Sequence, residues 1–89
     1  MRIKAIIKGI VQGINFRYNT KRKADSLNLK GHVKNLPDGR TVEAVIEGSE
    51  DKVNEMIEFL KQGTPGSRVV DIKITKEPEQ NIKDFEIRY

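Results

Sequence analysis

Ile6-Ile7-Lys8-Gly9-Ile10-Val11-Gln12-Gly13-Ile14-Asn15-Phe16-Arg17-Tyr18-Asn19-Thr20 is the stretch where one periodicity gives way to another. Up to it, Ile3, Ala5, Ile7 and Val11 share one parity and Lys4 and Lys8 the other, the alternation of a strand over Arg2 to Val11. Ile6 and Ile10 fall on the lysine side, so the strand is expected to be central and buried on both faces. Beyond it, Thr20, Ala24 and Leu27 recur at i, i+4 and i+7, one face of a helix whose wet side carries Lys21, Arg22, Lys23 and Asp25. Asn28 ends that helix, because Asn tolerates the left-handed conformation there. Between strand and helix lies a turn holding Gly9 and Gly13.

Working outward, Lys30 to Asn35 reads as a second strand, and Leu36-Pro37-Asp38-Gly39-Arg40 as a hairpin loop in which Pro presets φ and Asp-Gly supplies the turn. Thr41 to Gly48 is the third strand, with Val42, Ala44 and Ile46 on one face and Glu43 and Glu47 on the other. Ser49 stands at a helix N-cap position, followed by Glu50 and Asp51 where acids suit the helix dipole. Val53, Met56, Ile57 and Leu60 trace the clearest helical face of the chain, closed by Gly63. A fourth strand runs from Val69 to Ile74, and Phe85, Ile87 and Tyr89 alternate with Glu86 and Arg88 in a short last one. The order is the ferredoxin-like βαββαβ pattern, an α+β sandwich of one antiparallel sheet with two helices on one face and an extra C-terminal strand. Such a fold hosts many functions and names none.

Eighty-nine residues leave room for one domain, 1–89. The absence of cysteine removes disulfides, thiol nucleophiles and iron–sulfur clusters, and a single histidine with no cysteine argues against a zinc site, so no metal is expected. No apolar run reaches the ~20 residues of a membrane span, and Met1 opens directly into a strand pattern without a leader; a cytoplasmic location is expected. Residues 1–40 carry ten Lys or Arg against two acids, a balance of +8, whereas residues 41–89 carry seven against eleven, a balance of −4. The basic half points to an anionic ligand, although a solvated cationic face has the same composition.

Chemistry concentrates in the first strand-to-helix turn. Gly9 and Gly13 allow backbone turns that bring successive N–H groups into one concavity, a nest for an anion, and the following helix adds its free N–H groups. Arg17 stands at that helix start with a guanidinium able to fork onto two phosphate oxygens. An ordinary β–α connection with an exposed Arg has the same spacing. Asn35 shares the parity of Val33, and its neutral amide can hold a water; an Asn that merely ends a strand before Leu36-Pro37 reads identically. His32 points the other way and is expected to be structural and partly exposed. No serine sits in a nucleophile motif, so a hydrolase of this sequence would use water as the attacker.

Gly9-Ile10-Val11-Gln12-Gly13-Ile14-Asn15-Phe16-Arg17 with Thr20 and Ala24, followed by Gly31-His32-Val33-Lys34-Asn35-Leu36-Pro37-Asp38-Gly39 and the terminal Phe85-Glu86-Ile87-Arg88-Tyr89, resembles the acylphosphatase family. The chain departs from the usual pattern at Ile14, Asn19, Asn28, His32 and Thr64, none of them Arg17 or Asn35. The resemblance implies metal-free and cofactor-free hydrolysis of acyl phosphates, the carboxyl–phosphate mixed anhydrides. It implies that Val11, Gln12, Gly13, Ile14, Asn15, Phe16 and Arg17 form the phosphate cradle, that Arg17 binds the phosphoryl group and Asn35 orients the attacking water, and that Gly9 and Thr20 keep the cradle in shape. Inorganic phosphate is then both product and competitive inhibitor, and the enzyme is expected to be a monomer.

Two readings compete. Basic ferredoxin-like sheets bind RNA through aromatics exposed on the sheet, but no Phe or Tyr stands at the stacking positions around Lys30-Gly31-His32-Val33. Acylphosphatase-like domains also serve as modules inside larger carbamoyl-handling proteins; a chain bounded at the domain edges favours a free-standing enzyme.

Overall fold

The computed structural model describes all residues, 1–89. Strand β1 spans Arg2–Ile10, helix α1 Phe16–Ser26, β2 Lys30–Asn35, β3 Thr41–Glu47, α2 Glu50–Gln62, β4 Arg68–Glu77 and β5 Phe85–Arg88. They form one five-stranded sheet in the order β4-β1-β3-β2-β5. The pairings among β4, β1, β3 and β2 are antiparallel, as the βαββαβ pattern requires, and β5 joins the outer edge of β2 in parallel. Reaching that edge obliges residues 78–84 to cross from one side of the sheet to the other.

The core lies between sheet and helices. Ile3, Ala5, Ile7, Val33, Val42, Ala44 and Ile46 from the strands meet Phe16 and Ala24 of α1 and Val53, Met56 and Leu60 of α2, all buried. Each of the larger side chains, the Val, Leu, Ile, Met and Phe among them, contributes roughly 1.5–3 kcal/mol on burial. Asn28 adopts φ 56 after α1, and Gly63 φ 80 after α2, so both helices end where left-handed residues were expected. Ser49 occupies the N-cap of α2 but its hydroxyl makes no capping bond.

Three expectations are corrected. Strand β1 is central but not buried on both faces: Ile6 is half-buried and Ile10 is 59% exposed, because the second face of the sheet has no helix over it. Strand β4 runs three residues past Ile74, its Thr75, Lys76 and Glu77 pairing with Lys4, Ile3 and Arg2. His32 is buried, covered on the helix-free face by a 2.9 Å hydrogen bond between its Nε2 and Glu43 Oε2. Burial opposes ionisation of Glu43, but the His32 bond and the nearby Lys34 outweigh it and hold the carboxyl below its ordinary value.

Candidate active site

The C-terminal ends of β1 and β2 lie at the same end of the sheet, because both run antiparallel to the β3 between them. The turn after β1 therefore comes to rest beside Asn35, the last residue of β2. The fit starts with Gly9, where β1 carries a bulge against β4. A side chain there would collide with the backbone carbonyl oxygen of Arg68, so only glycine lets the strand turn away at this point. Gln12 then fastens the turn: its Nε2 donates to the carbonyls of Leu36 (2.9 Å) and Thr41 (2.8 Å), on either side of the β2–β3 hairpin.

Beyond Gln12 the backbone is left-handed at Gly13 (φ 76) and again at Asn15 (φ 62), with Ile14 at negative φ between them. Alternation of hand is the geometry that turns successive N–H groups inward to form an anion nest. Asn15 is also the N-cap of α1; its side chain makes no capping bond, and no acid stands in the first turn. The first helical N–H groups are left without a side-chain acceptor, at the positive end of the helix dipole.

Arg17, the second residue of α1, projects alongside β5. Its Nη1 donates to the Arg88 carbonyl at 3.2 Å, and its guanidinium lies 4.7 Å from the centroid of the Tyr89 ring. A pocket of about 270 Å³ opens between these elements, walled by Val11, Gly13, Asn15, Phe16, Arg17, Tyr18, Asn35, Ile87 and Tyr89. Asn35 Oδ1 is buried and has no hydrogen-bond partner in the protein. No Asp, Glu, His or Lys side chain lines the cavity, and nowhere in the molecule do three His, Asp or Glu side chains gather as a metal site would need.

The candidates from the sequence separate into groups. Val11, Gly13, Asn15, Phe16, Arg17 and Asn35 share the pocket wall. Gln12 does not: its side chain is spent on the hairpin carbonyls, so it tethers the turn instead of facing the cavity. Ile14 packs partly buried against the core. Thr20 is fully buried in α1 and its hydroxyl has no partner, so no hydrogen bond runs from it to the turn. Tyr18, Ile87 and Tyr89 were missed. Tyr18 is legible afterwards as an aromatic on the polar side of α1; the β5 residues are not, because their place depends on the parallel pairing with β2.

Fold and cavity together define a ferredoxin-like α+β sandwich with its cleft at the first strand-to-helix turn. Comparison with known proteins narrows this further. The family model for acylphosphatase matches residues 3–87. The chain is 46% identical over 85 residues to an acylphosphatase of Caldivirga maquilingensis, covering 96% of this chain and 87% of that one. An acylphosphatase structure from Bacillus subtilis superposes with a TM-score of 0.92 at 39% identity, covering 99% and 98% of the two chains. The whole chain also matches 12% of HypF from T. kodakarensis, with a TM-score of 0.84 at 33% identity. The chain belongs to the acylphosphatase family, and it is an enzyme of the hydrolase class. None of its helices is long and apolar enough to cross a membrane.

Proposed function

We propose that the chain, acting as one domain over residues 1–89, hydrolyses acyl phosphates by direct attack of water on phosphorus, without a metal or cofactor. The observation that carries this reading is the meeting of Arg17 and Asn35, from different elements, in one cavity beside a turn left-handed at Gly13 and Asn15. The N–H groups of the turn and the Arg17 fork hold the phosphoryl oxygens, where charge accumulates in the transition state. Asn35 Oδ1, unpartnered in the protein, accepts a hydrogen bond from the attacking water and aims its lone pair at phosphorus. A bond forms from the water oxygen to phosphorus while the bond from phosphorus to the acyl oxygen breaks. The acyl carboxylate leaves with the electron pair. A carboxylate is a good leaving group, so positioning and charge stabilisation suffice. With no Asp, Glu, His or Lys in the cavity wall, the proton of the water passes to a phosphoryl oxygen.

The test is hydrolysis of benzoyl phosphate in the presence of EDTA, with inorganic phosphate titrated in. Turnover that survives EDTA and is inhibited competitively by phosphate is expected. Loss of activity in EDTA would overturn the metal-free mechanism, and phosphate without effect on the apparent KM would overturn the cradle. The match to 12% of a HypF chain whose structure is in a phosphate- and nucleotide-bound form favours, as a second reading, a phosphate-recognising domain of a longer protein. Phosphate binding without turnover would support it.

A further inference from the structure

Only four large apolar or aromatic side chains of this chain are strongly exposed, and two of them, Tyr18 (55%) and Tyr89 (98%), wall the same cavity. The other aromatics with a structural role, Phe16 and Phe85, are buried in the core. An exposed ring forfeits the stabilisation that burial would give it, so its position needs another reason. Tyr89 has one, since it carries the Arg17 guanidinium. Tyr18 touches no such group of the cradle. Its ring instead has Arg22, one turn further along α1, at 5.8 Å from its centroid, and Arg22 is not part of the cavity wall.

The cavity is also larger than its proposed anion needs. At about 270 Å³ it lies near the lower end of small-molecule pockets, roughly 300–1,000 Å³, whereas a phosphoryl group is a single tetrahedral centre. Its wall divides by chemistry: Asn15, Arg17 and Asn35 are polar and Gly13 is bare backbone. Of the five apolar or aromatic residues, Val11 and Phe16 are buried in the core and Tyr89 carries Arg17, which leaves Tyr18 and Ile87 to offer apolar surface. From this division we infer that Tyr18 is the specificity-determining residue for the acyl half of the substrate, its ring forming with Ile87 a platform that favours acyl phosphates with a flat, apolar acyl group over those with a short one. The inference rests on the acyl phosphate reading of the site.

The experiment compares benzoyl phosphate with acetyl phosphate for the native enzyme, Tyr18→Ala and Tyr18→Phe, with the inhibition constant of inorganic phosphate measured for each. The native enzyme is expected to prefer benzoyl phosphate in kcat/KM. In Tyr18→Ala that preference should fall by about 2- to 12-fold, the scale of one aromatic contact, chiefly through the KM of benzoyl phosphate. Tyr18→Phe, which keeps the ring, should retain it, and the phosphate inhibition constant should move in neither variant. A preference unchanged in Tyr18→Ala, or lost equally in Tyr18→Phe, would overturn the platform while leaving the acyl phosphate reading intact. A native enzyme that hydrolyses neither compound would overturn that reading and the platform with it.

Discussion

The two ends of the sheet handle polar groups in opposite ways. At the end where β1 begins, the buried charges are matched. The Met1 ammonium donates to the Gly48 carbonyl at 2.9 Å, and Arg2, itself buried, pairs with Glu47 and Glu77 at 3.2 Å each. Glu47 also accepts from the backbone N–H groups of Gln80 (2.9 Å) and Ile82 (3.2 Å), which pins the crossover from β4 to β5 under the sheet. At the end where β1 finishes, Asn35 Oδ1 is buried in the cavity wall without a partner. Buried polar groups are nearly always paired because leaving one unpaired costs about 1–3 kcal/mol. Where the chain matches them it is building structure; of its three unmatched buried side-chain oxygens, Thr20 Oγ1 and Thr64 Oγ1 lie away from the cavity and Asn35 Oδ1 lies in its wall, free for the water proposed above.

This contrast predicts that a substitution at each end breaks a different property. Glu47→Ala should lower the unfolding free energy by about 3–5 kcal/mol, since it strips a buried guanidinium of one partner and releases two N–H groups of the crossover. Turnover per folded molecule should hardly change, and denaturant unfolding beside initial rates measures both. Arg17→Lys should do the reverse. The charge stays but the planar fork is lost, so kcat/KM should fall by about 10²–10³-fold while the unfolding free energy stays within about 0.5 kcal/mol of the native value.

Acid should reach the closed end first, with a smaller effect. Burial raises the Glu47 carboxyl, but the Gln80 and Ile82 N–H groups and Arg2 outweigh it and hold its pKa below the ordinary 4.5. A carboxyl depressed on folding stabilises the fold above its unfolded pKa, and that contribution drains away as pH falls below about 4.5 toward the folded value. Unfolding monitored between pH 6 and pH 3 should therefore show a loss of stability in the native chain that is smaller in Glu47→Gln, where the share of the depressed Glu43 carboxyl remains.

Much of this was legible in the sequence, and the exceptions share a cause. Alternation in β1 and β3 and the face of Val53, Met56 and Leu60 fixed which residues point inward, because burial follows period. Parity says which face a side chain takes but not what covers that face. Ile10 was therefore expected inside and lies outside, and His32 was expected at the surface and lies buried beneath its bond to Glu43. At the site, Arg17 and Asn35 stand out through the two sequence blocks that resemble the acylphosphatase family; by themselves they read equally as an ordinary turn and a strand end. Gln12 is assigned to the backbone cradle by its place in the motif, and the bonds of its side chain to the β2–β3 hairpin carbonyls, which tether the turn, are encoded by no local pattern. The apolar wall was invisible because Ile87 reaches the cavity through a parallel strand pairing that no local pattern encodes.

Asn35→Ala tests the contrast between the two ends most directly, with turnover, phosphate inhibition and unfolding measured on one protein. Removing a buried oxygen that bonds to nothing in the fold should leave stability equal to the native chain or higher. Phosphate inhibition should persist, because the turn and Arg17 are untouched. Turnover should drop by about 100-fold or more, the scale of a lost positioning contact, without a matching rise in KM. A variant that is less stable than the native chain but turns over at the native rate would show that Asn35 builds the fold, and would contradict the account.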